Sequence, residues 1–158
     1  MIGIKALRTA LLILASLAFV VAGPVTGAFA SKASIHAVIA KAGPKILEVE
    51  GHVLTAEGEY NKTNDPAPVE AAIDKSVAVL SALRHRVAAQ SASAPRVRAG
   101  KRNVVAGLEG IIVGYGHLKT AFADKATDLE AATTEAKAAV TAVGNGKRRL
   151  QQGIRQLS

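Results

Sequence analysis

Four histidines, two tyrosines and no cysteine are the side chains through which this chain could carry covalent or metal chemistry. The absence of cysteine removes thiol nucleophiles and thiolate metal sites together. Glu48 and His52 stand one helical turn apart, but two ligands on one helix do not make a closed site, which wants four. Helical bundles that hold metals draw Glu-x-x-His pairs from facing helices, and that motif is missing. The only methionine is Met1, so a Met–His haem ligand pair is excluded once the leader is removed. Haem would be left with two histidines, or with Tyr60 or Tyr115. Ser91 and Ser93 have no acid–base partner close in sequence, and no glycine-rich loop follows a strand. The expectation is a protein that is not an enzyme and carries no metal or cofactor. Asn61-Lys62-Thr63 has the form of a glycosylation sequon.

The charged residues are more informative. Arg84, Arg86, Arg96, Arg98, Lys101 and Arg102 fall in one acid-free stretch, residues 84–102, and Lys147, Arg148 and Arg149 open another, 147–158. A third acid-free stretch, 31–47, contributes Lys32, Lys41 and Lys45. Acids gather elsewhere, at Glu57, Glu59, Asp65, Glu70, Asp74, Asp124, Asp128 and Glu130, diluted by Lys62, Lys75, Lys119 and Lys125. Clustered cations of this kind suit an anionic partner. Aromatics make up 3% of the chain, which argues against a stacking platform for single-stranded nucleic acid.

These residues must be positioned by helices. Ile35, Ile39, Ala42, Ile46, Val49, Val53, Ala56 and Tyr60 recur at spacings of three and four. Val69, Ile73, Val77, Leu80, Leu83 and Val87 form a second such stripe, and Val104, Leu108, Ile111, Tyr115, Leu118 and Phe122 a third. Leu129, Ala136, Val140, Val143, Leu150, Ile154 and Leu157 form the fourth. Asn64-Asp65-Pro66 and Ser93-Ala94-Pro95 read as cap-plus-proline breaks. Thr127 and Glu130 have capping-box spacing, although the apolar register runs on through them. The predicted fold is an all-α, antiparallel up-down-up-down four-helix bundle. Its alternative is three helices, the last one long. Lys45–Tyr60 and Val104–Gly116 also carry β-branched residues and glycines, the local argument for strands. Pro44 either kinks the first helix or marks its start, and Gly144-Asn145-Gly146 is a candidate kink in the last.

Gly100, Gly107 and Gly114 share a heptad stripe in the third helix, with Gly110 and Gly116 beside it. Each glycine costs a helix about 1 kcal/mol against alanine. Close approach of a second helix offsets that cost; a groove for an apolar ligand is the competing account. Leucine at Gly114 should overpack the site, whereas alanine should be milder.

The topology places the start of the first helix, the second loop and the C-terminus at one end. The three basic stretches would meet there as a basic pole. Some of those cations complement helix dipoles, but Lys32, Arg96, Arg98, Lys101 and Arg102 crowd helix starts, where a dipole disfavours them.

The first thirty residues have a different character. Lys5 and Arg8 precede an apolar run from Ala10 to Val21, Gly23-Pro24 breaks it, and Ala28-Phe29-Ala30 has the small-x-small form of a cleavage site. A spanning helix wants about 20 apolar residues without such a break. Residues 1–30 therefore read as a secretory signal peptide and residues 31–158 as one domain. Removing Lys5 and Arg8 leaves 18 basic and 12 acidic residues, a net charge of +6.

The functional expectation is a secreted or envelope-associated, non-catalytic helical protein. Its basic pole would dock on an anionic envelope polymer, an acidic lipid surface or an acidic protein, with nucleic acid less favoured. The alternative is a carrier of a lipid or haem within the bundle. Edman sequencing of the exported protein should begin at Ser31; a product still bearing Met1 would contradict the cleavage site.

Overall fold

The computed structural model describes residues 30–158, and the proposed signal peptide lies outside them apart from Ala30. The chain forms α1 (Ala30–Thr63), α2 (Ala67–Ala88), α3 (Pro95–Asp124) and α4 (Leu129–Leu157) in an all-α four-helix bundle, with no strand among the described residues. α3 and α4 form the tightest pair, α1 packs on α2, and α2 closes against α3. All four apolar stripes contribute to one core, with Ile35, Ile46, Ile73, Leu80, Leu108, Ile111, Tyr115, Leu118 and Phe122 almost fully buried, but Leu129, read as the first member of the fourth stripe, is 57% exposed at the start of α4 and lies outside it.

The helix ends differ in detail from the sequence expectation. Asn64 takes a left-handed conformation (φ 57°) and its N–H donates to the Tyr60 carbonyl at 2.8 Å. It therefore ends α1 rather than starting α2, a conformation that asparagine tolerates better than most residues. Pro66 holds the cap position of α2 without a side-chain cap bond, and Asp65 just before it closes a local turn, its Oδ1 accepting from the Ala67 N–H at 3.0 Å. α3 has no side-chain cap: Ala94 holds the position and Pro95 supplies the preset first turn. At α4 the cap is Asp128, one residue beyond Thr127, and its Oδ1 accepts from Glu130 and Ala131. That turn is what separates α3 from α4. Pro44 lies inside α1, and α4 continues through Gly144-Asn145-Gly146.

The α3–α4 pair explains the glycines. Gly100, Gly107, Gly114 and Ala121 follow one another every seven residues on α3, and Ala132, Ala139, Gly146 and Gly153 do so on α4. All eight are buried. In antiparallel register Gly100 lies against Gly153, Gly107 against Gly146 and Gly114 against Ala139, which sets Ala121 opposite Ala132. There is no room for a side chain at the contacts. A Cβ at Gly107 would lie 2.8 Å from the Gly146 oxygen and 2.5 Å from the Leu150 nitrogen. A Cβ at Gly153 would lie 2.7 Å from the Gly100 oxygen. The stripe is thus filled by a neighbouring backbone. Even alanine at Gly114 would run into Val143 Cγ2, so the site has no spare volume and alanine there costs stability, though less than the larger leucine.

Gly144 provides the contrast, since a Cβ there meets nothing within 4 Å. Gly107→Ala should cost about 2–3 kcal/mol by forcing the backbones apart. Gly144→Ala should gain about 0.5–1 kcal/mol from helix propensity and a less disordered unfolded chain. Urea unfolding of the two variants is the check; similar midpoints would dissolve the proposed contact.

Candidate functional site

Antiparallel connection brings the start of α1, the α2–α3 loop and the end of α4 to one pole. Lys32 Nζ donates to the Ser158 carbonyl at 2.6 Å, and His36 Nε2 lies 2.8 Å from the Leu157 carbonyl. Arg96 Nε donates to the Gln156 carbonyl at 3.3 Å, and Asn103 Nδ2 to Gln156 Oε1 at 2.8 Å. Arg98 donates to the Ser93 carbonyl and Lys101 to the Gln90 carbonyl. This geometry corrects the dipole argument made from sequence. Lys32 and Arg96 begin their own helices, but each reaches the unsatisfied carbonyl end of α4, where a cation is favourable.

The candidate docking residues therefore divide. Arg84 is bonded to Glu109, and Lys147 is half-buried beside the Glu50 carboxylate. Arg96, Arg98 and Lys101 are engaged with backbone carbonyls that tie the pole together. Arg86, Arg102, Arg148 and Arg149 are exposed, and Arg148 donates to Asn145 Oδ1. Arg155, the last cation of the acid-free stretch 147–158 that the sequence assigned to the basic pole, is exposed on the same side of α4 as Arg148. None of these five has a carboxylate within ion-pair distance among the described residues. Two hollows run along them. One, of about 540 Å3, lies over the α3–α4 seam, with Ala106, Gly110, Ala142 and Gly146 as its floor and Arg148, Arg149, Asn145 and Gln152 around it. The second, of about 430 Å3, shares Arg148 and Gln152 and extends to Arg96, Arg155, Gln151 and Gln156.

The opposite pole is closed by other contacts. Tyr60 and Phe122 meet edge to face at 4.9 Å, with the Lys125 ammonium 4.3 Å from the Tyr60 ring centre. Lys119 bridges to Asp74 at 2.7 Å. The histidines stay apart: His36 sits at the basic pole, His52 and His85 are exposed, and His117 Nδ1 lies 2.7 Å from Glu135 Oε2 between α3 and α4. Among the described residues no three histidine or carboxylate side chains converge as a metal site would require.

Sequence reasoning missed a polar cluster inside the bundle to which each helix contributes one residue. Glu50 of α1 is 6% exposed and its Oε1 has no hydrogen-bond partner among the described residues. Ser76 of α2 is fully buried and donates to the Ala72 carbonyl at 3.0 Å, with the Val49 carbonyl 3.4 Å away. Tyr115 of α3 lies beside Ser76, and Lys147 of α4 faces the carboxyl. Burial pushes the Glu50 acid up to about 7 against the opposing pull of Lys147. Burial also raises the Tyr115 hydroxyl, helped by the Glu50 charge, and lowers the Lys147 ammonium. The available clue was position: Glu50 follows Val49 on the core side of α1, whereas Glu48, the acid that drew attention, is exposed and paired with Lys45 at 2.9 Å.

The sign of the pH effect follows. The folded protein holds the Glu50 proton up to about pH 7, while the ordinary value is 4.5. Between these values the native state binds more protons than the unfolded chain. This group's contribution therefore falls as pH rises through the window and is level above it. Glu50→Gln should leave stability near pH 4 almost unchanged and raise it by about 1–3 kcal/mol at pH 8. Denaturant unfolding at the two pH values decides; a variant less stable than wild type at pH 8 would mean that Lys147 more than compensates the buried charge.

No family model, curated protein or solved structure matches this chain.

Proposed function

We propose that the protein is an extracytoplasmic, non-catalytic module that docks through its basic pole on an anionic partner. The observation that carries this reading is the exposed arginine set Arg86, Arg102, Arg148, Arg149 and Arg155, which has no carboxylate partner among the described residues. Helix-dipole complementarity accounts for Lys32 and Arg96, and ion pairing or burial accounts for Arg84 and Lys147. It leaves these five without an ion-pair partner among the described residues, Arg148 alone being held by a neutral side chain, Asn145. Keeping like charges together at one pole costs self-repulsion, which an anionic surface relieves. An extracytoplasmic location rests on the leader-like segment at residues 1–30. No helix among the described residues is long and apolar enough to cross a membrane. The alternative role, carriage of a lipid or haem, drew on the α3 glycines, whose stripe is occupied by α4.

The test compares Arg86→Gln/Arg102→Gln/Arg149→Gln with an equal-charge control, Lys62→Gln/Lys75→Gln/Lys137→Gln, away from the pole. Wild type and control should bind heparin resin or anionic vesicles alike at about 50 mM salt, and binding should weaken steeply as salt rises. The arginine variant should bind about 10- to 100-fold more weakly, on a scale of about 1 kcal/mol per cation near an anionic surface. Equal loss in both variants would reduce the effect to net charge and remove the pole as a docking site.

A further inference from the structure

We propose that the two hollows beside the α3–α4 seam form one furrow that takes a strand of a linear polyol-phosphate polymer. This rests on the docking reading above and goes further, naming the partner's chemistry and its path. The hollows are continuous, because Arg148 and Gln152 line both. Their combined course along α4, from Ala142 to Gln156, covers about 20 Å at about 1.5 Å per residue. Such a length suits several repeats of a chain rather than one small anion.

The shape follows from the helix contact. α3 and α4 lie so close that Gly110 rests on Gly146, where a Cβ at position 110 would stand 3.0 Å from the Gly146 Cα. The seam floor therefore carries no side chain larger than alanine, and the long side chains stand up around it. A flat array of lipid head groups would meet only those side chains. A flexible strand can lie between them and reach the floor.

The lining also selects chemistry. Arg148 and Arg149 flank the first hollow, and Arg96 and Arg155 the second. A guanidinium offers a planar fork of donors that matches phosphate oxygens. Between them stand Asn145, Gln151 and Gln152, whose amides both donate and accept, as polyol hydroxyls require. No carboxylate lines either hollow, and no aromatic ring is present on which a base could stack. Alternating cation and amide fits a backbone that alternates phosphodiester and hydroxylated carbon. Asn145 also holds Arg148 through its Oδ1, so one arginine is oriented before any ligand arrives.

The probe is a fluorescently labelled glycerol-phosphate oligomer of about ten repeats, read by anisotropy, with phosphatidylglycerol vesicles and oligothymidylate as parallel arms. Wild type should bind the glycerol-phosphate oligomer at least 10-fold more tightly than oligothymidylate. Arg148→Gln/Arg149→Gln should weaken oligomer binding at least 10-fold. Lys41→Gln/Arg86→Gln, which removes the same charge at the same pole outside the furrow, should weaken it less than 3-fold. All four side chains are exposed, so both variants should keep the wild-type circular dichroism. Equal losses in the two variants would overturn the furrow and leave pole docking standing. So would binding to vesicles without binding to the oligomer. Oligothymidylate binding as tight as the glycerol-phosphate oligomer would overturn the polyol assignment. Failure of wild type to bind any of the three would overturn the docking reading itself.

Discussion

The backbone contact between α3 and α4 is the constraint on which the molecule depends. Gly100, Gly107, Gly114, Gly146 and Gly153 together cost about 5 kcal/mol of helix propensity. That loss is tolerable only because two long helices touch along their main chains, where dispersion contacts are dense and no rotamer freedom is lost. The pairing resists small slips of register, since a shift of three or four residues would drive Val143 or Leu150 into the opposing backbone. α1 and α2 then pack their larger aliphatic side chains against this rigid pair.

The register also distributes charge. It fixes the start of α3 beside the end of α4, so Arg96 reaches the Gln156 carbonyl and Asn103 the Gln156 side chain. α1 is longer than α2 by twelve residues (34 against 22), so its first turns extend past α2 to the end of α4, where Lys32 and His36 find carbonyls. A helix start is electropositive on its own, but in an antiparallel bundle it stands next to a neighbour's electronegative end. Cations that look misplaced along the sequence are well placed across it.

Much of the architecture was legible in the residue pattern. The four apolar stripes became four helices with a shared core, and Asn64-Asp65-Pro66 and Pro95 marked real breaks. The α3 glycine stripe was visible, but its partner was not: on α4 the same heptad is written half in alanine, Ala132 and Ala139, and half in glycine, Gly146 and Gly153. Alanine is the commonplace helix residue and hides a stripe that glycine would advertise. The basic residues were legible as a group but not as individuals, because whether an arginine is spent on a carbonyl, a carboxylate or nothing depends on neighbours distant in sequence. Arg84 meets Glu109 on another helix, and Lys147 turns towards Glu50 from the far end of the chain. Glu50 escaped notice for the same reason. Its polar neighbours, Tyr115 and Lys147, lie on other helices, which the periodicity of α1 alone does not encode.

The seven-residue pairing of α3 and α4 has a consequence for how such a chain can change. A deletion or insertion in one of these helices whose length is not a multiple of seven slips its small residues against the other's bulky ones, whatever residues are involved. Lengths of three or four would put Leu150 or Val143 where a glycine must pass. Gain or loss of whole heptads preserves the small-on-small contact, and matched steps in both helices also keep their ends level. The bundle can therefore lengthen or shorten only in quanta of two turns, about 10 Å. Divergent descendants of this chain should differ in loop length and surface residues before they differ in the length of this hairpin.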